Sequence, residues 1–134
     1  MFRVMNGKPF EPAAVARRIL IVEDDDDSRE MLVELIGMLG HRAIGAPNAR
    51  DALRVAHDER PDVVLIDIGL PDVSGCDIAR TLRASENGSR MRLVALTGYS
   101  DSATRQLAAE AGFDDFVVKP FSTENLASLL NHQL

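Results

Sequence analysis

The chain has a single cysteine, Cys76, among its 134 residues, which excludes an internal disulfide and any cysteine-rich zinc site. A chain without crosslinks suits a reducing compartment. It also lacks an excess of positive charge. Its 21 acidic and 15 basic residues leave a formal net charge of −6, so no domain-wide positive field draws in phosphodiester backbones or anionic lipid, and direct nucleic-acid binding is not expected. Long apolar runs are missing as well. No stretch approaches the ~20 residues that span a bilayer, and the N-terminus has no apolar core of the about 7 to 15 residues a signal peptide needs. The expectation is a soluble, cytoplasmic protein without a membrane partner.

What is present is ordinary globular material. Apolar residues make up 46% of the chain and charged residues 27%, enough to bury a core in one domain without a disulfide or structural metal. Residues 1–17 mix Gly7, Pro9 and Pro12 with isolated apolar residues at neither helical nor strand spacing, which predicts a tail or linker outside the core. The folded unit is expected over 18–134.

From Arg18 onward short apolar runs alternate with longer segments of helical periodicity, the pattern of an α/β protein with a parallel sheet. The runs Ile19 to Val22, Val63 to Ile66 and Leu93 to Leu96 are continuously apolar and rich in branched side chains, as central strands covered on both faces should be. His41 to Ala46 suits an edge, and Phe116 to Val118 completes five strands. Five helices lie between and after them. Met31, Leu32, Leu35, Ile36 and Leu39 share one face before Gly40; Asn48 caps a helix with Ala52, Leu53 and Ala56; Ile78 and Leu82 mark a third; Leu107, Ala108 and Ala111 precede Gly112; Ser122 caps a last one with Leu126, Leu129 and Leu130.

In open α/β sheets the working crevice lies at the carboxyl ends of the strands. Glu23, Asp24 and Asp25 follow the first strand, Asp67 the third, Thr97 ends the fourth and Lys119 the fifth, so one rim receives carboxylates, a hydroxyl and an ammonium. Carboxylates crowded together repel by ~4 kcal/mol per pair at 4 Å and an effective dielectric near 20. A hard divalent cation such as Mg²⁺, with Mn²⁺ as the alternative, binds oxygen ligands and tolerates one or two carboxylates plus a phosphate oxygen. Phosphoryl transfer depends on positioning and charge neutralisation, so a metal at Glu23, Asp24 and Asp67, with Lys119 as point charge and Thr97 as donor, is suitable equipment. Singly, each residue has a plainer reading: acids at 23 to 27 cap a helix, an Asp after a strand forms a turn, a Thr packs, a Lys before Pro is solvated. Their joint order along the chain is what argues for a site.

The strings Ile21-Val22-Glu23-Asp24-Asp25, Asp62 to Asp67, Leu70-Pro71-Asp72-Val73-Ser74-Gly75, Leu96-Thr97-Gly98-Tyr99 and Val118-Lys119-Pro120-Phe121 together resemble the response-regulator receiver family, from Arg18 to Leu134. The resemblance implies a flavodoxin-like, doubly wound five-stranded parallel sheet of order 2-1-3-4-5 with five helices. It implies that Asp67 takes a phosphoryl group from the phosphohistidine of a histidine kinase or phosphotransfer protein. Glu23, Asp24, Asp67 and the backbone carbonyl of Gly69 would hold Mg²⁺, Thr97 and Lys119 would contact the phosphoryl group, and Thr97 with Phe116 would form the switch. The Lys119–Pro120 bond is a candidate for the cis form.

Four positions matter beside the commonest family pattern: Gly98 stands where Ala is frequent, Phe116 where Tyr is frequent, and Gly69 and Tyr99 where the family tunes phosphoryl lifetime. A population switch from 1:99 to 99:1 needs about 5.5 kcal/mol, and the resemblance places its readout on the fourth helix, fifth strand and fifth helix. The partner receiving that signal is expected to be a downstream effector or a fused kinase module. A free-standing regulator and a piece of a hybrid kinase fit equally, as do a monomer and a weak dimer. Such a domain is not an enzyme beyond its own aspartyl phosphorylation and dephosphorylation. One rival is a pseudo-receiver that binds proteins without carrying phosphate; another is a phosphatase with an Asp nucleophile, which wants a second Asp where Gly69 stands. His41, His57 and His132 have no metal-ligand spacing, and Cys76 is expected to be a small buried residue.

Overall fold

Continuous apolar runs become strands when both faces are covered, and the period of two then sends alternate side chains to opposite layers. This occurs in β3 (Arg18–Val22), β5 (Val63–Asp67) and β6 (Arg92–Thr97). In the computed structural model, which describes residues 3–5, 8–10, 16–68, 74–98, 101–120 and 122–131, Leu20, Val22, Val64, Ile66, Leu93 and Ala95 face one layer of helices. Ile19, Ile21, Val63, Leu65, Val94 and Leu96 face the other. The first layer is α2 (Ala49–Glu59), α3 (Gly75–Arg83) and α4 (Ser102–Ala111); the second is α1 (Asp26–Met38) and α5 (Thr123–Asn131).

The sheet is completed by β4 (Arg42–Ala46) and β7 (Asp115–Val118), and all its pairings are parallel in the order β4-β3-β5-β6-β7. This is the expected 2-1-3-4-5 arrangement of the core strands. Both edge strands are less buried than the three between them, as expected of the run His41 to Ala46 in β4. The Asn48 and Ser122 caps form, accepting from the backbone N–H of Asp51 and Asn125. Gly40 and Gly112 take the left-handed conformation past α1 and α4, at φ 93° and 102°, where a side chain would be strained.

Other details differ from expectation. Met31 and Leu107 are more than half exposed, because each adjoins a better-placed core residue, Leu32 or Ala108, and a helix turns about 100° per residue, which carries the neighbour out of the apolar stripe. Cys76 is half-buried rather than fully enclosed. Residues Arg3–Met5 and Lys8–Phe10 form an antiparallel pair, β1 and β2, as a two-stranded sheet of their own.

His41 is buried, and its Nδ1 accepts from the backbone N–H of Arg17 at 3.0 Å. Burial, assisted by the Arg17 charge, holds its imidazole below its ordinary value. A depressed histidine takes its proton later in the folded state than in the unfolded one. Its contribution to stability is therefore complete above the unfolded value near 6.5 and is lost as pH falls through the lower folded value. Urea midpoints at about pH 7.5 and about pH 5.5 should diverge more for the wild type than for His41→Asn, whose amide oxygen can replace Nδ1; one proton accounts for at most ~1.4 kcal/mol per pH unit. Equal divergence in both proteins would remove His41 from the account.

Candidate functional site

Each strand tip delivers one part of the site. Val22 is the last residue of β3 paired to β4, and the Glu23 N–H still donates to the Ala46 carbonyl at 3.1 Å. The chain then turns away, and Asp25 caps α1 by accepting from the Ser28 N–H at 2.8 Å. The cap is Asp25, while Asp26 and Asp27 occupy the first helical turn, where negative charge faces the positive helix end. The bond from Ser28 holds the Asp25 carboxyl below the usual carboxylate range.

Asp67 ends β5 in register with Leu96 of β6, so it stands one residue short of Thr97 on the neighbouring strand. Thr97 is buried, and its carbonyl accepts from the Lys119 N–H at 2.7 Å, which ties the β7 tip to β6. The Lys119–Pro120 bond is cis. Lys119 reaches back across the rim, and its Nζ lies 3.3 Å from Glu23 Oε1 and 3.3 Å from Asp67 Oδ2. Residues 96 positions apart in the chain thus share one ion-pair network.

Glu23, Asp24 and Asp67 each place one carboxylate oxygen within 4.8 Å of the other two. Around a common Mg²⁺, oxygens at ~2.1 Å stand no more than ~4.2 Å apart, so small side-chain movements close this set on a cation. Glu23 is 3% exposed, and its Oε2 is buried with no hydrogen-bond donor among the described residues, an uncommon and costly state for a carboxylate. Burial first, and then the adjoining Asp67 carboxylate, push Glu23 up to about 7 against the pull of Lys119. Lys119 shows the converse: burial alone would lower it, but the charges of Asp67 and Glu23 outweigh that and hold it above its ordinary value. An orphaned buried oxygen beside two further carboxylates is what a hard divalent cation satisfies, so the residues present fit Mg²⁺.

The structure therefore brings together Glu23, Asp24, Asp67 and Lys119, with Thr97 at the adjacent strand end. Gly69, the expected carbonyl ligand, lies outside the described residues, as do Tyr99, Phe121 and His132. His57 is exposed beside Asp58, remote in kind from a metal ligand. Phe116 is half-buried against the helix layer of α2 to α4, and the Arg105 guanidinium lies over its ring at 4.9 Å from the centroid, a cation–π contact. Sequence reading missed Arg105, since no spacing rule links α4 to β7. It missed Arg29 as well, whose guanidinium donates to the Glu23 carbonyl at 2.9 Å.

Comparison with known proteins agrees with this geometry. The family described as response regulator receiver domain matches residues 19–131. The phosphate regulon transcriptional regulatory protein PhoB of Pseudomonas aeruginosa is 34% identical over 116 residues, 87% of this chain and 51% of PhoB. The chain spans about half the length of the curated relatives it matches. Among solved structures, the Vibrio cholerae chemotaxis protein CheY4 superimposes with a TM-score of 0.85 at 25% identity, covering 90% of this chain and 100% of CheY4. The receiver domain of the sensor histidine kinase PA1611 from Pseudomonas aeruginosa, solved with a magnesium ion coordinated in its active site cleft, gives 0.79 at 32% identity, covering 87% of this chain and 95% of that one. With the strand order, the acid cluster and a match across most of its length in agreement, the chain belongs to the response regulator receiver domain family.

Proposed function

We propose that the chain is a phosphoacceptor signalling domain in which Asp67 receives a phosphoryl group from the phosphohistidine of a histidine kinase or phosphotransfer protein, in a Mg²⁺-dependent reaction. The observation that carries this reading is the convergence of three carboxylates within 4.8 Å of one another, two of them 3.3 Å from one ammonium. Glu23, Asp24 and Asp67 would hold the cation, with the Gly69 carbonyl as a further ligand, and the cation supplies charge neutralisation for the transferring group. An Asp67 carboxylate oxygen attacks phosphorus in line; the new O–P bond forms as the P–N bond to the donor imidazole breaks, and the nitrogen keeps the electron pair. Lys119 gives its ammonium to a phosphoryl oxygen, and Thr97 donates its hydroxyl to another. The added charge would draw Thr97 inward and let Phe116 reorient, altering the surface of α4, β7 and α5 for a partner. Residues 1–17 would serve as a tail or linker to the unit over 18–134, and the cytoplasm, where such donors act, is the proposed site of action. No helix among the described residues is long and apolar enough to cross a membrane.

Incubation with Mg²⁺ and acetyl phosphate, followed by intact-mass measurement, tests the reading. The expected result is a gain of one phosphoryl group that chelation of the metal prevents. Binding of Mg²⁺ without any mass gain would instead favour a protein-interaction module that does not carry phosphate.

A further inference from the structure

The β3–α1 turn carries both Glu23 and Asp24, yet the sheet ladder holds only its first residue. Pairing of β3 with β4 ends at Val22 and Ala46, and the last tie is the Glu23 N–H to the Ala46 carbonyl at 3.1 Å. Beyond it, the Glu23 carbonyl has left the strand and lies before the first helical residue, Asp26. Arg29 takes it up: its Nη1 donates to that oxygen at 2.9 Å, while its Nη2 pairs with Asp26 Oδ1 at 2.5 Å. The side chain is 17% exposed. Its stem lies flat over Gly45 of β4, where an added Cβ would come within 2.9 Å of both Cγ and Cδ. The glycine is thus the gap in the strand surface through which Arg29 reaches the acid turn.

We propose that Arg29, seated on Gly45, is a positioning residue for the cation site, acting through the peptide plane between Glu23 and Asp24. This rests on the reading that those two acids hold the metal. The carbonyl that Arg29 grips belongs to the peptide that joins them, so fixing its oxygen orients the rigid plane on which both Cα atoms lie and narrows the directions open to both side chains. The charge of Arg29 is matched by Asp26, so its role is geometric. The two effects have opposite signs: deleting a nearby positive charge should tighten Mg²⁺ binding, whereas releasing the peptide should weaken it.

The test uses the whole chain and measures Mg²⁺ affinity by calorimetric titration, with the metal-free Tm recorded alongside. Arg29→Met keeps the stem and loses the guanidinium; Gly45→Val keeps the guanidinium and displaces the stem. Each is expected to weaken Mg²⁺ binding by roughly tenfold while phosphorylation by acetyl phosphate recovers at saturating Mg²⁺. Arg29→Lys, which keeps the charge but loses the planar fork of donors, should fall between. If one variant fails to fold, the other carries the comparison. Wild-type binding with unchanged or tighter binding in both variants overturns the positioning role alone. A wild-type chain that takes up no Mg²⁺ overturns the metal reading and this inference with it.

Discussion

Asp67→Asn is expected to reduce phosphoryl incorporation from acetyl phosphate by roughly three orders of magnitude or more, to the background of the mass measurement. The amide has the shape of the carboxylate but no charged oxygen to attack phosphorus, and it removes one of three acids from the cation set. The fold should persist. Lys119 keeps its contact with Glu23 at 3.3 Å, and Asp67 lies at a strand tip rather than in the core, so the metal-free Tm should stay close to that of the wild type. The outcome that sinks the assignment is a well-folded variant labelled as fast as the parent, because some other residue would then be the acceptor.

The second large effect concerns the floor beneath Asp67. A Cβ on Gly75 would lie 2.6 Å from Ile68 Cα, 2.7 Å from the Asp67 carbonyl oxygen and 3.0 Å from Ile66 Cγ2. The nearest two are backbone atoms of the β5 tip, which cannot step aside as a long side chain would. Gly75→Ala must therefore lift the start of α3 off the strand end, at about 3 kcal/mol, the upper part of the usual range for overpacking. Against a total stability of roughly 5–15 kcal/mol, that is a large share. Gly37→Ala is the matched control: its site is the next-to-last residue of α1, with nothing within 4 Å of the new atom, so it should stabilise by at most about 0.5–1 kcal/mol. Urea midpoints of the two variants must move in opposite directions. Destabilisation of both by similar amounts would mean that the backbone contact at Gly75 is not the cause.

Much of this arrangement was legible in the chain because the physics is local. Ile19 to Val22 and Leu93 to Leu96 are apolar without interruption, and only a strand covered on both sides explains that in so few residues. Glu23, Asp67, Thr97 and Lys119 were found because a parallel sheet sends every strand tip to one rim, so sequence position after an apolar run translates into place in space. What escaped was contact between side chains whose partners no periodicity names. Arg29 and Arg105 look like ordinary solvated helix residues, yet one holds a backbone carbonyl and the other covers a ring. Met31 and Leu107 were misjudged for a related reason: a stripe of apolar letters does not say where its margin falls. Gly45 carries no cue of its own within the edge run His41 to Ala46, and its fit to the Arg29 stem gives it a purpose.

The ammonium that balances the acids comes from the last strand, 96 positions after the first of them. During synthesis, a chain that has emerged only through β6 bears Glu23 and Asp67 without the Lys119 ammonium that pairs with both. The three acids of the proposed cation set are present on such a molecule, but the ammonium that pairs with two of them is not. Under the proposed function, the ammonium meant for the phosphoryl group joins the acids only when the final βα unit docks.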